Sequence, residues 1–291
     1  MSETSLQRQM HPYSLVIPAF AIYGVLFILP TLMSFFFSLT IWTLKDYRFV
    51  GFQNFKLFFS EDSLRIGIKN TLLYAVMTSS MKVIIALFIA TFLCSGLRSK
   101  NYLRSVIFFP NLVSTLAVGL TFSSLMHPSK GVFNTFIANV FHISGPDWLG
   151  NPHLALFSII FVDVWKGLGV ATVIYLSGIL AIPKNYYEAA SIDGASKWCQ
   201  FRHITIPLVK SSMTSVIILS FIGGMRSFDL IWAMTKGGPG FATDVVASII
   251  YKQFSNGYFG LSIAGNVIMF VMISFFALPL YKFLVSREES F

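Results

Sequence analysis

The chain has 291 residues, of which 55% are hydrophobic and only 11% charged; soluble globular proteins carry about 25% charged residues, so an ordinary water-soluble domain is excluded and lipid is the expected solvent. Its 31 phenylalanines suit lipid-facing and interhelical surfaces. The formal charge of +9 is dispersed among apolar runs and forms no cluster, which excludes a nucleic-acid partner and turns the basic residues into topology signals.

A bilayer core takes about 20 apolar helical residues to cross, and six such runs are predicted, at 13–41, 70–95, 105–126, 153–181, 208–233 and 259–285. Each must be helical, because lipid offers the backbone no hydrogen-bond partners. Pro18, Pro30 and Pro279 are expected to bend them. The first run is too long for a signal-peptide core and no A-x-A site follows it, so it is read as a retained span. Residues 1–12 are then an N-terminal tail and 13–291 one all-α membrane domain.

With an even number of spans both termini share a side. One set of loops and ends carries Arg8, Arg98, Lys100, Arg104, Lys184, Lys197, Arg202, Lys210, Lys282 and Arg287 in short stretches. The opposite set mixes Lys45, Arg48, Lys56, Arg65, Lys130, Lys236 and Lys252 with Asp46, Glu61, Asp62, Asp147 and Asp244. Basic residues favour the cytoplasmic side, which places both termini inside. Residues 42–68 and 127–152 are then external, the second with turns at His127-Pro128 and Gly145-Pro146. Cys94 and Cys199 lack metal-ligand spacing and fall near the inner side, so no disulfide is expected.

The inner segment 183–207 is long, amphipathic and bounded by prolines: PKNYYEAASIDGASKWCQFRHITIP. Glu188-Ala189-Ala190 is followed, after three intervening residues, by Gly194, then by Ile204 and Pro207. Two alanines give a helix a small-faced surface, Gly194 permits a turn, and Glu188 suits a helix start or a basic partner. The pattern E-A-A-x3-G-x9-I-x-L-P resembles that of membrane permeases of ATP-binding cassette (ABC) importers; here Ile206 replaces its Leu, which keeps the apolar volume. FVGFQNFKLFF, IKNTLLYA, WLGNPHLAL and FDLIWAMTKGGPGFAT extend the resemblance over nearly the whole chain, toward the carbohydrate-uptake branch of MalF/UgpA type. Gly237, Gly238 and Pro239 would form a tight external turn.

The resemblance implies a type I ABC importer permease fold with a cytoplasmic coupling helix carrying Glu188, Ala189, Ala190, Asp193, Gly194, Ile204 and Pro207. It implies a bacterial cytoplasmic-membrane subunit that moves a sugar and performs no catalysis. The implied partners are a homologous second permease, two ATPase subunits, an extracellular or periplasmic solute-binding protein and membrane lipid. No G-x-x-x-x-G-K-[ST] loop occurs, so ATP and Mg are expected on the ATPases and no cofactor or metal on this chain. A permease for another solute such as glycerol phosphate is the runner-up. A secondary transporter would leave the E-A-A segment unexplained, and the five scattered histidines give a membrane enzyme no cluster to work with.

Charges at membrane depth are costly and usually paired or functional. Asp163 with Lys166, and Arg226 with Asp229, stand three apart and are expected to form pairs on one helical face. Lys82 has no acidic neighbour at that spacing and is read first as structural, against the sister subunit, the alternative being that it faces the bundle interior and biases the path toward an acidic sugar. Candidate path residues are Lys82, Trp165, Lys166, Phe228, Asp229 and Asn266, since sugar sites combine a stacking ring with polar groups; Trp232 is assigned to the interfacial belt. Phe122 stands where the family commonly has Trp.

Overall fold

The computed structural model describes residues 16–95 and 98–286. Arg8, Arg287, the tail 1–12 and the first residues of the first predicted span lie outside the described residues. The chain divides into two compact units, residues up to Glu61 with Ile250–Met269, and Asp62–Ile249 with residues from Phe270 on.

In the first unit, α1 (Ile17–Ser38) is an apolar helix long enough to cross a membrane. Pro18 occupies its first turn, where a missing N–H is harmless. A widened turn at Gly24–Ile28 precedes Pro30 and makes room for its ring. Thr40–Trp42 (β1) then pairs antiparallel with Tyr47–Phe49 (β2), Thr40 facing Phe49. Buried Asn54, on α2 (Gln53–Ser60), donates to the Ser38 and Thr40 carbonyls at 2.9 and 2.8 Å, fastening the end of α1 to the hairpin. Gly260 lies so close to the Thr40 carbonyl that a Cβ there would collide with it.

The second unit is built around α3 (Asp62–Cys94), α7 (Ala155–Leu180) and α10 (Lys210–Met225), which pack on one another. Between α3 and α7 run α4 (Lys100–Leu112), α5 (Thr115–Leu125) and α6 (Val132–Phe141); after α7 come α8 (Lys184–Ile192) and α9 (Lys197–Leu208). α11 (Asp229–Thr235), α12 (Val246–Ser255) and α13 (Phe259–Ser286) complete the chain, the unit boundary falling within α12 and α13. Close backbone approach holds the central helices: a Cβ on Gly224 would lie 2.7 Å from Ala75 Cα, and one on Gly169 would lie 2.8 Å from the Ile107 carbonyl oxygen. Tyr74, Ile159, Val162 and Ile231 are fully buried in the resulting core.

Among the described residues four helices, α1, α3, α7 and α13, are long and apolar enough to cross a membrane, or six spans if the bent pairs α4–α5 and α9–α10 each count as one. The boundaries correct several expectations. α3 starts at Asp62 instead of 70, because an apolar run marks the lipid-embedded length while the helix continues through Arg65 and Lys69. The third span is broken by 95° at Val113–Ser114, shortly after Pro110, and the fifth by 70° after Pro207; these prolines, not Pro18 or Pro30, stand at the sharp bends. The fifth span also ends at Met225, and 229–235 is a separate short helix. Segment 127–152 contains α6, with several exposed apolar side chains.

Candidate functional site

The 183–207 segment folds into a short exposed rod with a buried footing. None of α8 is buried, and Ile192, Tyr186 and Trp198 are 87, 53 and 60% exposed. Glu188 and Ala189 lie on that exposed surface with Asp193 and Gly194, and Ala190 is half-buried. The helix ends in a paired turn: Ala195 N–H reaches the Ala190 carbonyl at 2.8 Å and Gly194 N–H the Ser191 carbonyl at 3.2 Å. That geometry requires a left-handed residue, supplied by Gly194 at φ +75°. Ser196 then caps α9 by accepting from Cys199 N–H.

Gln200 closes the turn. Only 4% exposed, it donates to Ser191 Oγ at 2.9 Å and to the Ala195 carbonyl at 3.3 Å, tying α9 back to α8. Tyr187 Oη and Thr205 Oγ1 share a second hydrogen bond at 3.0 Å. Below these ties, Ile182 and Phe201 enter a core with Leu93, Tyr175 and Val209, and Ile204 and Ile206 pack against it. Pro207 lies in the closing stretch of α9, Ile206–Leu208. Neither Gln200 nor Tyr187 drew notice in the sequence, where Gln200 is an unremarkable polar residue inside the spacer of the motif.

Within the bundle, the charges pair differently from expectation. Lys82 Nζ on α3 donates to Asp163 Oδ2 on α7 at 2.7 Å, with the two side chains 11 and 22% exposed. The expected Asp163–Lys166 pair is therefore corrected: across-helix geometry offers Asp163 a closer cation than its own helix does, and Lys166 instead reaches the Asn111 carbonyl at 3.4 Å. The expected Arg226–Asp229 pair also does not form among the described residues, since the helix is interrupted over 226–228, which places Arg226 just after α10 and Asp229 in the first turn of α11, where its charge complements the helix dipole. Lys82 faces the interior, but its charge is compensated. Gly167 makes this possible, because a Cβ there would meet Lys82 Cε at 2.5 Å and Nζ at 2.8 Å.

Trp165 packs against Phe122 with ring centroids 5.2 Å apart, and Phe228 stacks on Trp232 at 5.7 Å. Asn266, in the first unit, donates to the Ser262 carbonyl at 3.4 Å. The structure thus brings Lys82 together with Asp163 and Trp165 with Phe122.

Gly237–Pro239 forms a tight turn. Gly237 has φ +90°, Gly238 N–H bonds to the Thr235 carbonyl at 2.9 Å, and Thr243 Oγ1 donates to the Gly238 carbonyl at 2.7 Å. Asn70 donates to the Ala242 and Asp244 carbonyls, both at 2.9 Å, and Thr71 Oγ1 accepts from Val246 N–H at 3.0 Å. The K-N-T and G-G-P stretches, far apart in sequence, are one structural unit.

The family model described as binding-protein-dependent transport system inner membrane component matches residues 82–289. The trehalose/maltose transport system permease protein MalF of Thermococcus litoralis is 32% identical over 272 residues, 93% of this chain and 92% of that protein. The multiple sugar-binding transport system permease protein MsmF of Streptococcus mutans is 30% identical over 257 residues, 86% of each. In fold, the chain is similar to a chain of a bacterial ABC transporter involved in the import of the acidic polysaccharide alginate, with TM-score 0.83 at 19% identity, covering 99% of this chain and 98% of that one.

Proposed function

Since the chain belongs to the binding-protein-dependent transport system inner membrane component family, and is thus a multi-pass transport subunit, we propose that it is one of two permease subunits of an ATP-driven sugar importer. Its partners are a homologous permease, two ATPase subunits that hold ATP and Mg, and an external or periplasmic solute-binding protein. It sits in a bacterial cytoplasmic membrane with both termini inside, and binds no cofactor of its own. The sugar assignment draws on relatives named for trehalose, maltose and multiple sugars.

The observation that carries the reading is the exposed rod on a buried footing. Tyr186 and Ile192 leave exposed apolar surface on α8, at 53 and 87%, and that surface suits a rod that seats in a protein partner. Glu188, Ala189, Ala190, Asp193 and Gly194 meet the ATPase, and Ile204 and Pro207 carry its movement into the spans. When the ATPases close on ATP the rod moves as one body, because Gln200 and the Tyr187–Thr205 bond tie its two helices together. Ile182 and Phe201 pass the displacement to α3, α7 and α10, opening the bundle outward; hydrolysis resets it. Lys82, Trp165, Lys166, Phe228, Asp229 and Asn266 remain the path candidates, with the Lys82 charge compensated by Asp163, which removes the reason to favour an acidic sugar. Gly237, Gly238 and Pro239 form the external turn.

The test is uptake by proteoliposomes holding both permeases and both ATPases, with the solute-binding protein outside and a panel of neutral and acidic saccharides. Uptake of a neutral oligosaccharide that requires both ATP and the binding protein is expected. Uptake driven by an ion gradient without ATP would overturn the assignment.

A further inference from the structure

Where α3 and α7 end and α9 begins, they enclose a groove of about 750 Å³. Its walls are apolar: Phe88, Phe92, Leu180 and Phe201 line it with Thr91, and the first three are 51, 59 and 63% exposed, so the groove opens on the outer surface of the bundle. Its charge is of one sign. Lys184 and Lys197 line the rim, Lys197 donating only to the neutral Gln200 Oε1 at 3.3 Å, and neither has a carboxylate within ion-pair distance among the described residues. Cys94, on the wall, lies in the electrostatic field of Arg104 and Lys100. Trp198 completes the rim, 60% exposed and packed on Phe201 at 5.4 Å, as an amphipathic ring does at a membrane–water boundary.

An apolar channel on the outer surface of the bundle, with uncompensated lysines where α3 and α7 end, selects a molecule with a long apolar chain and an anionic head. A free phosphate would leave the aromatic wall uncovered, and a zwitterionic lipid would leave the lysines uncompensated. We propose that this groove holds an anionic phospholipid, its phosphate between Lys184 and Lys197 and an acyl chain along Phe88, Phe92 and Leu180. The lipid would tie the footing of the rod to the membrane surface, so that motion of α8 is referred to the bilayer. This rests on the proposed transport reading for the membrane around the groove and for its place at the cytoplasmic leaflet.

The experiment uses the assembled importer in nanodiscs of phosphatidylcholine alone or mixed with phosphatidylglycerol, with retained lipid measured by native mass spectrometry. Selective retention of phosphatidylglycerol is expected. Removing both charges with Lys184→Gln and Lys197→Gln should weaken it roughly 25-fold, from about one charge's surface attraction per lysine. Thr91→Trp, which fills the groove and leaves the charge alone, should also reduce retention; each variant is compared at a melting temperature matching the parent. Equal retention of the two lipids, or retention unchanged in either variant, would overturn the proposal. Glu188→Lys separates the two readings, since it should abolish coupling while leaving lipid retention intact.

Discussion

Replacing Lys82 with Met leaves Asp163 charged inside the bundle with its partner gone. Breaking a buried ion pair from one side costs about 3 to 5 kcal/mol. At 11 and 22% side-chain exposure the lower end applies, about 3 kcal/mol. With an unfolding entropy of about 2.1 cal/mol/K per residue over 291 residues, or about 0.6 kcal/mol/K, that lowers the melting temperature by roughly 5 °C. Asp163→Leu, which leaves Lys82 as the unpaired charge, should cost a similar amount. The double variant Lys82→Met/Asp163→Leu removes both charges at once and should return to within about 1 kcal/mol of the parent. Thermal melting of the purified complex, run as a double-mutant cycle, reads all of these. If each single variant melts with the parent, or the double variant melts below both singles, the pair does not hold α3 to α7 in the way argued.

Gly194→Ala meets no neighbour within 4 Å, so its cost is the left-handed backbone alone, about 1 to 2 kcal/mol; hydrogen exchange at the Ala195 amide should speed up while the core is unchanged. Gln200→Leu leaves Ser191 and Ala195 without their tie and should cost about 1 to 3 kcal/mol, seen as faster exchange across 191–200 and slower uptake. Gly224→Val drives a branched side chain into Ala75 and Thr78, and overpacking of about 1 to 3 kcal/mol or more should lower the melting temperature and the yield of assembled complex.

Much of this molecule can be read from its residues, for a physical reason: lipid forces each span to be a long apolar run, so the regions of the membrane crossings stand out. The rod was legible because Gly194 and the E-A-A triplet are local requirements of one turn and one face. Contacts between distant elements were not. Lys82 and Asp163 are 81 positions apart, and helical spacing alone offered Asp163 the wrong partner, Lys166. Arg226 and Asp229 have helical spacing but no helix between them, because the helix ends at Met225. Pro110 gave a local signal, yet the bend falls three residues later, at an extended Val113. The N-F, N-T and W-L-G-N stretches marked the family without showing why. Asn54, Asn70 and Trp148 prove to be fasteners, Trp148 donating to Asn134 Oδ1 at 2.7 Å.

The most direct measurement compares ATP-driven saccharide uptake in proteoliposomes by the importer carrying Glu188→Lys with that of the parent. Glu188 is exposed, so reversal of its charge should leave the melting temperature within about 1 °C and cut uptake at least tenfold. A stable Glu188→Lys complex that imports at the parental rate would contradict the role given to the rod.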